Sequence, residues 1–260
     1  MADDEILTET HGGAVHLILN RTSKANALTQ QMWDSIPELV AYAESLPGAR
    51  VLVLRSASDS VFSAGADVGE YRENAGSTDW GMANHTRVTA ATTAIAECSL
   101  ATIARISGPC AGGAVGLVSA CDFRLCADNA LFAVPPTKLG LVYPQADTAR
   151  LVDLIGTSAT KRLLLTAARM DARWALRVGL IDESVHPEDL DAAIDQLVAQ
   201  ICGGAPVSVR SMKRTIALAN AGVRKETDET RELLLAALNH PDHMEGTAAF
   251  LERRAPRFLE

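Results

Sequence analysis

Two short runs of small residues carry the chemistry open to this sequence. Phe62-Ser-Ala-Gly-Ala-Asp67 follows the apolar run Arg50 to Ser56, and Gly108-Pro-Cys-Ala-Gly-Gly-Ala-Val-Gly116 follows Ala101 to Ser107. Each run leads into a predicted helix. A strand-loop-helix junction of small residues exposes backbone N–H groups at a helix N-terminus, where the macrodipole favours negative charge, so such a loop can hold an oxyanion. Neither run is the phosphate cradle G-x-x-x-x-G-K-[ST], since no Lys follows, and neither gives G-x-G-x-x-G, so nucleoside triphosphates and dinucleotides lose support as ligands. The competing reading is that the glycines only let a helix approach the sheet closely.

Other reactive residue types form no comparable pattern. His11, His16, His186, His240 and His243 show no metal-ligand spacing with carboxylates, and no metal site is expected. Cys98, Cys110, Cys121, Cys126 and Cys202 are odd in number, lie in apolar surroundings and form no C-x-x-C pair, which points to buried free thiols. A G-x-S-x-G nucleophile elbow is missing, which weakens a hydrolase reading.

The elements that must position the two runs follow from apolar periodicity. Residues 5–20 alternate about Gly12-Gly13 and predict a β-hairpin. Thr29 is a predicted N-cap for a helix through Met32, Trp33, Ile36, Leu39, Val40 and Ala43, stopped by Pro47-Gly48. Strands are predicted at 50–55, 101–107, 121–127 and 180–185. Helices are predicted at 151–155, 159–168, 172–178, 187–201, 206–219, 224–238 and 245–254, with Gly156, Gly179, Gly203-Gly204 and Gly222 at C-cap positions. The polar segment between Tyr71 and Thr86 reads as mobile surface, and Val209, Met212 and Ile216 read as helix core.

Composition bounds the class. The chain has 260 residues, 48% hydrophobic, 22% charged and 4% aromatic, which excludes disordered, collagen-like and disulfide-stapled proteins. A net charge of -8 argues against nucleic acid or an anionic membrane as the main partner. The longest charge-free stretch, Ile106 to Cys121, is 16 residues and glycine-broken, too short to span a bilayer. The acidic start Met-Ala-Asp-Asp-Glu lacks the pattern of a signal peptide, so a cytoplasmic protein is expected.

Five blocks in order carry a resemblance: Leu19-Asn-Arg-Thr-Ser-Lys-Ala-Asn-Ala-Leu28, Phe62 to Asp67, Gly108 to Asp122, Leu139-Gly-Leu-Val-Tyr143, and Ala249-Phe-Leu-Glu-Arg-Arg-Ala-Pro-Arg-Phe258. Together they resemble the enoyl-CoA hydratase/isomerase (crotonase) family over nearly the whole chain. The resemblance implies an α/β (α+β) fold, a spiral of ββα units over residues 1–196 with a C-terminal helical region over 197–260. It also implies a homotrimer or dimer of trimers, an acyl-CoA thioester substrate, and no cofactor beyond the coenzyme A of that substrate.

By the same resemblance the thioester oxygen is held by the backbone N–H groups of Ala66 and Gly113. Enolate charge on that oxygen is stabilised by two preorganised donors, and losing one costs about a hundredfold or more in rate. Side chains are irrelevant to that role, so Ala66 is adequate. Backbone near Lys24, Ala25, Ala64, Asp67 and Val68 is expected to line the coenzyme A site, with Phe258 helping to cover the adenine; Lys24 could equally be a solvated loop cation.

The departures from the family pattern matter more than the match, and they leave open which bond is broken. Hydratases carry one glutamate three residues after the oxyanion glycine and another four residues before the glycine of the Leu-Gly block. Those positions are Gly116 and Pro136 here, and neither can move a proton. General acid–base catalysis contributes typically ~10²–10⁴-fold, so ordinary hydration by that pair is expected to be crippled. Tyr143 stands where a proline is common and resembles the methylmalonyl-CoA decarboxylase branch, in which losing CO₂ generates the enolate without a base. That branch commonly has His at the position of Ala66.

Asp147 is the other candidate acid or base, with pairing to Arg150 as the alternative; for Tyr143 the alternative is simple packing. Glu70, Glu73, Asp79 and His85 could fold over the acyl group, though polar-loop charges are ordinarily just solvated. Asp122 is expected to fix a turn outside the reacting centre. The expected function is an acyl-CoA-transforming enzyme; the rival is a catalytically poor acyl-CoA-binding paralogue.

Overall fold

The computed structural model describes residues 5–259. The hairpin forms as its alternation requires: β1 (Ile6–His11) pairs antiparallel with β2 (Ala14–Leu19). Gly12 and Gly13 turn it at φ +57° and +83°, a left-handed corner that side chains resist. The next strands all run parallel to β2: β3 (Val51–Ser56), β4 (Ala101–Ile106), β6 (Phe123–Ala127) and β9 (Glu183–Val185), in the order β1-β2-β3-β4-β6-β9. A second small sheet joins β5 (Cys110–Ala111), β7 (Leu131–Ala133) and β8 (Met170–Asp171).

Period-two alternation divides the core between the two faces of the larger sheet. Leu52 and Leu54 face α1 (Gln30–Ser45), α3 (Thr78–Glu97) and α4 (Gly113–Ala120). Val51 and Val53 face α7 (Leu190–Cys202), which buries Leu190, Ile194 and Val198 and runs through residue 196. The Thr29 hydroxyl caps α1 by accepting from Met32 N at 3.2 Å, and the helix buries Met32, Trp33, Ile36, Val40 and Ala43. Four of the five cysteines are buried, and all five are free.

Parallel pairing puts the C-terminal ends of β2, β3 and β4 along one edge, so the loops at 20–29, 57–67 and 107–112 emerge side by side. Both glycine-bearing runs lie there.

Two expectations are corrected. The segment from Tyr71 to Thr86 is the end of α2 (Val68–Glu73) and much of α3, not a loop. Ser77 caps α3 by accepting from Trp80 N, the Tyr71 and Trp80 rings meet edge to face at 4.9 Å, and buried Asn84 donates to the Tyr71 hydroxyl at 2.8 Å. What reads as loop polarity is a cap and a polar helix face. The helices predicted at 151–155 and 159–168 lie within the span α5 (Gln145–Thr166), which starts earlier than expected but breaks where expected, at Gly156, whose φ +75° and ψ 161° leave helical geometry. After α6 (Ala172–Val178) and α7, the chain ends in α8 (Pro206–Asn220), α9 (Asp228–Leu238) and α10 (Pro241–Glu252). Met212 and Ile216 are 58% and 63% exposed on α8, not core, because α9 covers only part of that helix.

Candidate active site

The first run is strapped to the sheet edge. Leu28 N donates to Gly65 O at 2.8 Å and Asp67 N donates to Leu28 O at 2.9 Å, a parallel bridge that turns the N–H of Ala66 the other way. Gly65 has φ +87°, and a Cβ there would stand 2.5 Å from Ala111 O, so glycine is required by both backbone angle and contact. Buried Ser63 completes the strap: its hydroxyl donates to Asn26 O at 2.7 Å and accepts from Gly65 N at 3.0 Å, while its carbonyl accepts from Ala111 N at 2.9 Å. That last bond joins the two runs.

The second run ends at Gly112, whose N–H donates to Ala133 O at 2.8 Å, and Gly113 opens α4. An amide in the first turn of a helix has no intrahelical acceptor and lies at the positive end of the dipole. A Cβ on Gly113 would meet the Trp33 ring at 3.0 Å, so Trp33 fixes this backbone from behind.

One turn along α4 the space beside Gly116 is filled by side chains from another segment. A Cβ there would stand 2.9 Å from Asp147 Oδ2 and 3.0 Å from the Tyr143 hydroxyl. Tyr143 donates to Gly112 O at 3.2 Å, next to Gly113. Burial drives its phenol well above the ordinary range, with the Asp147 charge adding to the effect, so it carries its proton at any working pH. Asp147 is fully buried; Oδ1 accepts from Arg150 at 2.7 Å, and Oδ2 has no hydrogen-bond partner among the described residues. Burial raises its pKa, against the pull of the Thr92 hydroxyl, of Arg150 and of His85. Pro136 begins a short 3-10 turn and offers no ionisable group.

The expected coenzyme A residues gather, with one exception. Ala64 N donates to Ala25 O at 2.9 Å, exposed Lys24 precedes Ala25, and exposed Val68 opens α2. Asp67 is committed to the protein: it accepts from Gly69 N at 2.7 Å and from Arg21 at 2.6 Å. Burial works to raise its pKa, but the bonds from Arg21 and Gly69 prevail and hold it below the usual carboxylate range. Phe258 lies elsewhere. Its ring packs on Gly246 of α10, and Leu259 lines a cleft with Cys98 and Ser99, at the N-terminal end of β4 and so at the opposite edge of the sheet from Lys24.

The remaining candidates sort by contact. Glu70 accepts from Gln30 N at the start of α1, and Asp79 lies in the first turn of α3. Asp122 braces a turn, accepting from Thr102 N at 2.7 Å and Lys213 at 2.6 Å. His85, on α3, lies near enough to Asp147 to lower its pKa slightly against the effect of burial. Sequence reasoning missed Arg21, Ser63 and Trp33, whose partners lie far along the chain. It also missed Thr89, Thr92 and Thr93, which a polar stripe at i, i+3 and i+4 on one face of α3 would have revealed.

These features define a class: a largely parallel α/β sheet whose C-terminal edge carries two strapped loops, one of them leading into a helix N-terminus, backed by a helical C-terminal region. A family model described as enoyl-CoA hydratase/isomerase matches residues 9–260. The chain belongs to that family of enzymes and has its crotonase fold. It is 30% identical to a crotonyl-CoA hydratase of Syntrophomonas wolfei, covering 100% of this chain and 99% of the relative. It is also 30% identical to a carnitinyl-CoA dehydratase of Citrobacter koseri, covering 95% of each. A crystal structure of an enoyl-CoA hydratase/isomerase family protein from Hyphomonas neptunium superposes with a TM-score of 0.94 at 35% identity, covering 98% of this chain and 97% of that one.

Proposed function

We propose that this enzyme binds an acyl-CoA thioester, stabilises its enolate between the N–H groups of Ala66 and Gly113, and draws its proton chemistry from Tyr143 and Asp147. The observation that carries this reading is the filling of the space at Gly116 by those two side chains. A hydratase glutamate at position 116 would clash with them, so the acid–base function moves from α4 to the segment that opens α5. Two backbone donors aimed at a developing oxyanion need no reorganisation, which is the largest single contribution such a site can make.

The protonated Tyr143 phenol favours one second reading, a methylmalonyl-CoA-decarboxylase-like reaction. The carbon–carbon bond to the carboxylate breaks, its electron pair passes into the thioester enolate, and CO₂ leaves. A proton from Tyr143 then reaches the α carbon, whose enolate is a stronger base than a phenolate. No base is needed, which suits the absence of carboxylates at 116 and 136.

In the same reading Lys24 meets a coenzyme A phosphate and Ala25, Ala64, Asp67 and Val68 supply backbone around the pantetheine. Phe258 could cover an adenine only from another copy, so a trimer or dimer of trimers is proposed, built through the region 197–260. No cofactor besides substrate coenzyme A is invoked, and the proposed compartment is the cytoplasm. Among the described residues no helix is long and apolar enough to cross a membrane.

The test is a panel of crotonyl-CoA, a 3-enoyl-CoA and methylmalonyl-CoA, following hydration, double-bond shift and CO₂ release. Slow or absent hydration with turnover on another substrate is expected. Rapid hydration of crotonyl-CoA would defeat the argument from Gly116 and Pro136. Tight binding without any turnover would favour an acyl-CoA-binding paralogue.

A further inference from the structure

The wall beyond Asp147 is polar where an acyl chain would need it to be apolar. Asp147 Oδ2 is buried without a hydrogen-bond partner among the described residues, and so is the Thr89 hydroxyl oxygen. Thr89, Thr92 and Thr93 share one face of α3, set against α5. Thr92 is buried, its hydroxyl 3.3 Å from Thr89 O and drawn toward Asp147, and Thr93 accepts from Arg150 at 3.4 Å. Arg150 is spoken for by Asp147 Oδ1, so the pair carries no spare positive charge to attract a carboxylate. What the wall offers is one buried acceptor facing a row of hydroxyls.

Distance places this wall along the acyl group. Gly116 lies three residues beyond Gly113, about 4.5 Å along the helix axis, and Asp147 Oδ2 stands 2.9 Å from a Cβ there. A thioester carbonyl held at Gly113 therefore directs its third and fourth carbons toward Asp147 and α3. An alkyl end would bury these polar atoms without compensation, which selects strongly against it. A hydroxyl satisfies both kinds of group: it donates to Oδ2 and accepts from a threonine.

We infer that the acyl group carries a hydroxyl on its γ carbon, held between Asp147 and the Thr89–Thr92 face of α3. The inference rests on the acyl-CoA reading above and adds the chemical class of the acyl end.

The experiment compares two saturated thioesters of equal length, 4-hydroxybutyryl-CoA and pentanoyl-CoA, by calorimetric titration of the full chain, with free coenzyme A as reference. The wild type is expected to bind the hydroxy compound at least tenfold more tightly. Thr89→Val should reduce the preference several-fold, and Asp147→Leu should reverse it; if Asp147→Leu does not fold, Thr92→Val takes its place. Equal affinity for the two thioesters, or a preference for pentanoyl-CoA, would overturn the inference while leaving the acyl-CoA reading intact. Thioesters that bind no better than free coenzyme A would overturn both.

Discussion

Gly116 and Asp147 occupy one space: a Cβ on the glycine would stand 2.9 Å from Asp147 Oδ2. The pair explains how a chain can lose a glutamate from α4 and still present a carboxyl group to the same point. It also makes the two positions interdependent. Gly116→Ala should destabilise by about 1–3 kcal/mol through overpacking and displace Tyr143 from Gly112. Urea unfolding of Gly116→Ala alone and with Asp147→Gly checks this, because the second change restores room and should recover most of the loss. No recovery in the double variant would refute the shared-space account.

Tyr143→Phe removes the hydroxyl that donates to Gly112 O. Turnover should fall about 10²-fold or more, within the range for losing a positioned acid. Affinity for the coenzyme A moiety should hold, since Tyr143 touches none of the loops at Lys24 or Ala64. Unchanged turnover in stopped-flow assays would remove Tyr143 from the chemistry.

Burial raises the Asp147 pKa in the folded chain, so this group's contribution to stability is fully present below about 3.8, the ordinary unfolded value, and is lost as pH rises through the folded value. The groups facing it are Tyr143 and Arg150 on its own segment and Thr92 and His85 on α3. Asp147→Asn imitates the protonated state. It should melt higher than the wild type at pH 7, with the gap narrowing as pH falls toward 4. A gap that is constant with pH would contradict the assignment.

Gly65 and Gly76 have nearly the same backbone angle, φ +87° and +85°, but nothing lies within 4 Å of a Cβ on Gly76. Gly76→Ala should therefore cost only the conformational penalty, about 1 kcal/mol. Gly65→Ala must also push Ala111 O aside and should lose several kcal/mol and about a hundredfold in turnover. Equal effects in the two variants would show that the contact between the loops does not matter.

Arg21 donates to Asp67 at 2.6 Å and to Ala27 O at 2.9 Å, and pairs with Glu5 at 3.0 Å. It clamps the residue after Ala66 to the loop after β2. Arg21→Met should cost about 2 kcal/mol, as charged hydrogen bonds in a partly buried setting do, and should lower kcat more than it raises KM. A pure KM effect would assign Arg21 to binding instead.

Local pattern made much of this legible. The Gly12-Gly13 corner, the Thr29 cap and the apolar stripe of α1 follow from neighbours in sequence, and the structure has them where the sequence puts them. The reading failed where polarity had two uses. Ser77, Asp79 and Asn84 look like loop residues but serve as a cap, a first-turn charge and a buried donor to Tyr71. Exposure of Met212 and Ile216 was hidden for a related reason, since helical periodicity reports an apolar face and not what lies against it. In the site, Gly116 and Pro136 were visible as missing carboxylates. That Asp147 and Tyr143 fill the space of Gly116 was not, because contacts across 27 and 31 residues leave no local trace.

The Ala66 bridge has a consequence for anyone who scans this protein by substitution. Among the encoded residues only proline deletes the Ala66 amide N–H, and every other replacement leaves the proposed donor in place. A map of tolerated replacements would therefore run against chemical importance. Position 66 would look permissive while its neighbour Gly65 and the spacer Gly116 looked indispensable, and the reacting centre would show only as the outline of the residues that hold it.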